Sequence, residues 1–197
     1  DVDTIYEIPL MLFNQGFDKK IVDKLGIKNL KKHSQINYLD KAIKTYKSPK
    51  NKVMIAMCGK YNSLHDAYKS ILEAFIHSGI KNDAKVEVKW VDTEKLEKDM
   101  DFKVFENIDG ILIPGGFGYR GIEGKIKATQ YARENNIPFL GICLGMQCAV
   151  IEFARNVCNL TDSNSTEFDK STSSPVIDLM PSQKKVIDKG ATMRLGK

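Results

Sequence analysis

A doubly wound, mostly parallel α/β sheet with helices on both faces is the fold that this sequence predicts, and three observations carry it. From about residue 52 onward, short buried strands alternate with helical patterns, an order that calls for crossover connections and therefore parallel neighbours. Two of the strands, Ile111 to Pro114 and Pro138 to Leu140, run directly into glycines. The chain has 197 residues, 42% of them hydrophobic, which is enough for one good core and a small flanking appendage.

The elements follow in order. Residues 1–27 suggest two short helices, one starting near Pro9, the other capped by Asp18 and stopped by Gly26. Residues 28–51 are Lys-rich and close on Lys47-Ser48-Pro49-Lys50-Asn51, a helix followed by a linker, with the domain boundary near residue 51. Val53 to Met57 is a strand. Ser63 to Asp66 is a capping box for a helix that aligns Leu64, Ala67, Tyr68, Ile71, Leu72 and Phe75 on one face. Val86 to Val91 forms a strand, Thr93 to Met100 a helix, Gly110 to Ile113 a strand and Ile122 to Asn135 a helix. Residues 158–175, rich in Ser, Thr, Asn and Asp, are expected to be a long polar loop.

Charge and cysteines exclude several classes of function. The net charge of +5 resides in residues 1–52, which hold 11 Lys and 6 acids, while the remainder is balanced at 19 of each sign. A lysine-rich linker explains that excess, so no nucleic-acid site is expected. No apolar run is long enough to cross a bilayer as a helix. Cys58, Cys143, Cys148 and Cys158 form no C-x-x-C pair and share no ligand spacing with His33, His65 or His77, so no metal site is expected. Reduced thiols of this kind fit a cytoplasmic protein.

The chemistry concentrates at Pro138-Phe139-Leu140-Gly141-Ile142-Cys143-Leu144-Gly145-Met146-Gln147. A nucleophile on a sharp strand-to-helix turn needs small residues two positions to either side, because the chain approaches itself there. Gly141 and Gly145 occupy those positions, and the following helix would direct its N-terminal amides toward the sulfur. Cys143 is therefore the candidate nucleophile. The glycine run Gly115 to Gly118 could present free amides to a developing oxyanion. Gly116-Phe117-Gly118-Tyr119-Arg120-Gly121 is also a literal G-x-G-x-x-G, but the strand after it ends in Gly141-Ile142-Cys143 rather than in a ribose-binding acid, so it is not read as a dinucleotide site.

These residues, together with Gly59-Lys60-Tyr61, Asp66 to Ser70, Asn164-Ser165-Thr166-Glu167-Phe168 and Thr192-Met193-Arg194-Leu195-Gly196, resemble in the same order the class I, triad-type glutamine amidotransferase domain of the CTP synthases. Val2 to Pro9 resembles the tail of the amidoligase domain that precedes it in that family. The resemblance implies an amidoligase tail over 1–27, a linker over 28–51 and a glutaminase domain over 52–197 that is C-terminally incomplete. It implies a Cys143 thioester with glutamine, an oxyanion held by the backbone amides of Gly116 and Leu144, and a glutamine pocket of Gly116, Leu144, Gly145, Met146, Gln147 and Glu167. Arg120 and Glu123 would belong to a lid that responds to GTP. In the whole enzyme, ATP and Mg would serve amination of UTP to CTP in the amidoligase domain, GTP would activate allosterically, and the assembly would be a homotetramer, with this portion alone expected to be monomeric.

A triad enzyme also needs a base, which this family draws from a downstream His-x-Glu unit. This sequence contains none: the residues two beyond its histidines are Gln35, Ala67 and Gly79. Turnover by this portion alone is therefore expected to be impaired. The alternatives are a catalytically silent module of the same fold and a different elbow-cysteine protein of chaperone or peptidase type. The Met146-Gln147 pair and the 24-residue step from Cys143 to Glu167 oppose the second of these.

Overall fold

A computed structural model describes residues 2–27, 35–59 and 65–180. The first half of the Ser63–Asp66 capping box, the Lys60-Tyr61 pair and the Thr192–Gly196 motif lie outside them. The chain divides into two compact units, one comprising residues up to Val53 with Lys69–Glu87, the other Met54–Tyr68 with the chain from Val88 onward.

In the first unit, α1 (Ile8–Asn14) carries Pro9 in its opening turn, where a missing amide hydrogen costs nothing. The break before α2 (Phe17–Leu25) is made by Gly16 at φ 68°, so the residue preceding that helix is Gly16 and not Asp18. Asp18 lies within the first turn, where its charge favours the positive end of the helix. Gly26, at φ 62°, ends the helix as expected. Tyr6 ties the N-terminal segment to α4 (Lys69–Asn82): its hydroxyl donates to Glu73 at 2.5 Å and lies 2.8 Å from His77 Nε2. That bond to an acceptor carboxylate raises the phenol to about 12. Lys47, at the end of α3 (Gln35–Lys47), reaches Asp3 at 2.8 Å and Glu7 at 3.0 Å.

The four strands β1 (Asn51–Gly59), β2 (Ala84–Asp92), β3 (Gly110–Ile113) and β4 (Phe139–Gly141) lie in the order β2-β1-β3-β4. The second unit holds β3, β4 and the C-terminal parts of β1 and β2, the portion of the sheet that positions the site. β3 runs parallel to both neighbours, placing Met57 beside Leu112 and Ile113 beside Gly141. All four residues of β3 are buried, which is why it reads as an unbroken apolar run. The entry to β3 is latched by Asp109, whose carboxylate accepts from the Met54 amide at 2.7 Å while its own amide donates to the Met54 carbonyl at 2.8 Å.

Alternate residues of the central strands, Ala56, Cys58, Ile111 and Ile113, form one core with Leu96 of α5 (Thr93–Asp99), Phe105, and Ala128 and Ala132 of α6 (Ile122–Glu134). α5 begins where Asp92 accepts from the amides of Glu94 and Lys95 at 2.9 and 3.1 Å. A second core joins Ile122 and Ile126 of α6 to Leu144, Cys148 and Ile151 of α7 (Leu144–Asn156). Each fully buried aliphatic side chain here contributes about 1.5–3 kcal/mol.

Between α6 and α7 lies a polar tie that the apolar pattern gives no sign of. Glu152 is buried, yet Arg133 donates to it through Nε at 3.0 Å and through its terminal nitrogen at 2.8 Å, and Asn156 adds a third donor at 3.0 Å. The expected loop over 158–175 is in part a small sheet: β5 (Ser163–Ser165) and β6 (Ser174–Ile177) pair in parallel, with Ser163 beside Ser174. Serines and asparagines carry weak strand signals, and these strands form because side-chain bonds such as Thr172 to the Asp162 carbonyl and Ser173 to the Asp162 carboxylate hold the segment.

Replacing Glu152 with Ala should lower stability by about 2–3 kcal/mol, less than for a wholly buried pair because partly exposed Arg133 can rehydrate, as urea unfolding would measure. Burial pushes the Cys148 thiol from the ordinary 9.0 up to about 12 and moves Cys58 in the same direction. A group raised in the folded state loses its proton first in the unfolded chain, so the contribution of Cys148 should be fully present below about pH 9 and be lost from there toward about pH 12. Urea midpoints across that range should show the decline, and it should be shallower in Cys148→Ala.

Candidate active site

Strand β4, the turn after it and the start of α7 are forced into one geometry by close backbone packing. The Ile142 amide donates to the Ile113 carbonyl at 2.9 Å, and the Gly145 amide turns back to the Ile142 carbonyl at 2.9 Å. A Cβ on Gly145 would collide with the Ile113 carbonyl oxygen, and one on Gly141 would stand 2.5 Å from the Gly145 carbonyl group. Neither position can therefore carry a side chain. Cys143, held between them, sits at φ 52° and ψ −103°, a conformation that non-glycine residues rarely adopt. It is the residue immediately before α7. Strain of this kind persists only where the surroundings impose it, and here the four flanking backbone contacts do so.

The thiol of Cys143 is exposed, as is that of Cys158, whereas Cys58 and Cys148 are buried. Next to Cys143 lies the glycine turn after β3. A Cβ on Gly115 would lie 3.5 Å from Cys143 Cβ, and one on Gly116 would lie 3.4 Å from a methyl of Leu144. The structure thus brings Gly115, Gly116, Cys143, Leu144 and Gly145 into one small volume. Among the described residues, the amides of Gly116 and Leu144 donate to no backbone carbonyl in a turn or loop. Gln147 Oε1, one helical turn on, is buried and has no hydrogen-bond partner among the described residues. Met146 is half exposed.

The remaining predicted residues are placed differently. Glu167 follows β5; its amide donates to Ser165 Oγ at 3.2 Å, and its exposed carboxylate makes no ion pair among the described residues. Arg120 and Glu123 do not meet each other. Arg120 reaches Glu94 at 3.8 Å, while Glu123 is held by Arg155 of α7 through contacts of 2.9 and 3.0 Å. Arg155 also donates to the Ser163 carbonyl at 2.7 Å, so one guanidinium joins α6, α7 and β5. The sequence reading did not single out Arg155, nor Lys125, which is buried in the first turn of α6 and borders a small cavity with Gly115, Gly116 and Leu144. The signal for Lys125 was present: its neighbours at helical spacing are Ile122, Ala128 and Thr129, an uncharged face. Among the described residues, no group of three His, Cys, Asp or Glu could hold a metal ion. No helix there is long and apolar enough to cross a membrane.

Comparison with known proteins gives this geometry a family. The chain is 57% identical over its whole length to CTP synthase of Pelodictyon phaeoclathratiforme, of which it covers 35%. It is 54% identical, over 99% of its length, to that of Thermus thermophilus, again covering 35%. It is 52% identical to that of Methanocaldococcus jannaschii, covering 37%. The chain therefore spans about a third of the length of these curated relatives. Among solved structures, a glutaminase domain of Trypanosoma brucei CTPS with bound acivicin superposes with a TM-score of 0.64 at 39% identity, over 72% of this chain and 60% of that one. That likeness bears out the parallel sheet with helices on both sides. The family description for class-I glutamine amidotransferases matches residues 63–197, well over half the sequence, and the chain belongs to that family.

Proposed function

We propose that this chain is the glutaminase portion of a CTP synthase and that Cys143 is its nucleophile. The observation that carries the reading is the exposed thiol at a strained strand-to-helix turn, with the Gly115–Gly116 turn against it. The thiolate attacks the side-chain amide carbon of glutamine, and the carbonyl oxygen takes up negative charge between the Gly116 and Leu144 amides. Collapse of that intermediate breaks the C–N bond, and the nitrogen leaves as ammonia once it has received a proton. Water then cleaves the thioester to glutamate.

Gly116, Leu144, Gly145, Met146 and Gln147 line the glutamine pocket, and Glu167 offers its carboxylate to the substrate's α-ammonium group. The proton carrier is the His-x-Glu unit of the family, which these 197 residues do not contain. His77 is engaged by Tyr6 in the first unit. The chain alone should therefore acylate or alkylate readily and turn over poorly.

In the whole enzyme the ammonia passes to an amidoligase domain that uses ATP and Mg to activate O4 of UTP, yielding CTP in the cytoplasm. Residues 1–27 are the tail of that domain and residues 28–51 the linker to the glutaminase domain from 52 onward. GTP acts on the lid that holds Arg120 and Glu123, and the Glu123–Arg155 pair is the anchor from which that lid would move. The whole enzyme assembles as a homotetramer and this portion is monomeric.

Treating the chain with a glutamine chloroketone or with acivicin should give one adduct, at Cys143, by peptide mass spectrometry. Modification of Cys158 instead, or of no cysteine, contradicts the reading; Cys58 and Cys148 should stay unmodified until the chain unfolds. In the parent enzyme, Cys143→Ser should abolish CTP formation from glutamine and leave formation from added ammonia intact. Gly145→Ala should cost about 1–3 kcal/mol of stability and suppress labelling of Cys143, because the α7 start must retreat from the Ile113 carbonyl.

A further inference from the structure

Lys125 stands apart from every other lysine among the described residues in being buried, at 3% exposure. Two physical penalties oppose it. An ammonium group loses its hydration there, and it lies in the first turn of α6, where the helix dipole disfavours a cation. A methionine of the same length would fill the space without either penalty, so packing alone does not account for a lysine.

Its surroundings suggest a reason. Lys125 borders a cavity of about 10 Å3, the size of a single water molecule, whose other walls are Gly59, Tyr68, Pro114, Gly115, Gly116 and Leu144. Gly116 and Leu144 are the two residues whose amides would meet an oxyanion. The Nζ atom donates to the Arg120 carbonyl at 3.5 Å, linking the end of the glycine segment back to α6. Cys58 and Cys148, whose thiols burial pushes upward, are both pulled partly back by this ammonium. Among the described residues, the charged and titratable groups near it include Cys58 on β1, Cys148 on α7 and Tyr68 at the cavity wall, while Glu123 on its own helix is engaged by Arg155 and Arg120 by Glu94 of α5.

We infer that Lys125 is a positioning residue for glutamine hydrolysis: from beneath the Gly115–Gly116 turn its buried ammonium fixes that turn and biases the adjoining pocket toward negative charge. It touches no reacting atom. Its effect is on the field and geometry of the amides that do. The inference rests on the reading of Cys143 as nucleophile.

The test compares the 197-residue chain with Lys125→Met, Lys125→Gln and Lys125→Arg, measuring the rate of Cys143 modification against pH with two reagents. A glutamine chloroketone places a carbonyl oxygen in the oxyanion pocket, whereas iodoacetamide reports only the thiolate. Lys125→Met and Lys125→Gln should slow the chloroketone about tenfold, more than they slow iodoacetamide, and move the pH midpoint upward, while Lys125→Arg keeps most of the wild-type rate. Melting curves of each variant serve as the folding control, and rates are compared only at temperatures where all four chains are folded. Wild-type rates and pH profiles in both neutral variants would overturn the inference while leaving Cys143 in place. A wild-type chain unlabelled at Cys143 would instead overturn the nucleophile itself.

Discussion

The contact between the start of α7 and the end of β3 leaves no room for a Cβ atom, and the site depends on that. Because Gly145 rests directly on the Ile113 carbonyl and Gly141 on the Gly145 backbone, the turn between them has one available path. That path drives Cys143 to positive φ and leaves its sulfur outside the sheet. The same crowding brings the Gly115–Gly116 turn against Cys143 and Leu144. A small error in helix placement would separate the two sets of amides, so the packing that fixes α7 is part of the chemistry.

Two ion pairs supply much of that fixity. Arg133, in the last turn of α6, locks that helix to Glu152 of α7, and Arg155 locks α7 to Glu123 and to β5. Both use a guanidinium, whose planar fork can satisfy two carboxylate oxygens at once. The apolar cores on either side of α6 set its depth, and the ion pairs set its rotation and register. Lys125 belongs to the same helix, so the element that carries the buried ammonium is also the one that both ion pairs hold.

The sequence makes the sheet and the elbow legible for the same reason: both are enforced by sterics that exclude most residue types. Fully buried β3 must be apolar at every position, and Gly141 and Gly145 must lack side chains. β5 and β6 were not legible, because they are held by side-chain hydrogen bonds among the flanking residues Asp162, Thr172 and Ser173 and show no alternation of apolar and polar residues. The start of α2 was misplaced by two residues, since an acid in a first turn and an acid before it look alike until the φ of Gly16 is known. Partner choice was the least legible of all. Arg120 and Glu123 are three residues apart and look like a local pair, yet each is claimed by a different helix, and only tertiary geometry decides that.

The central claim is that two amides, from the turn after β3 and the start of α7, converge on the oxygen of an acyl group held by Cys143. A crystal structure of the chain after reaction with a glutamine chloroketone tests it most directly. The account requires electron density continuous with Cys143 Sγ and an adduct oxygen within hydrogen-bond reach of both the Gly116 and Leu144 nitrogens. An adduct whose oxygen points to solvent, or a Gly116 amide turned away from it, would contradict the account.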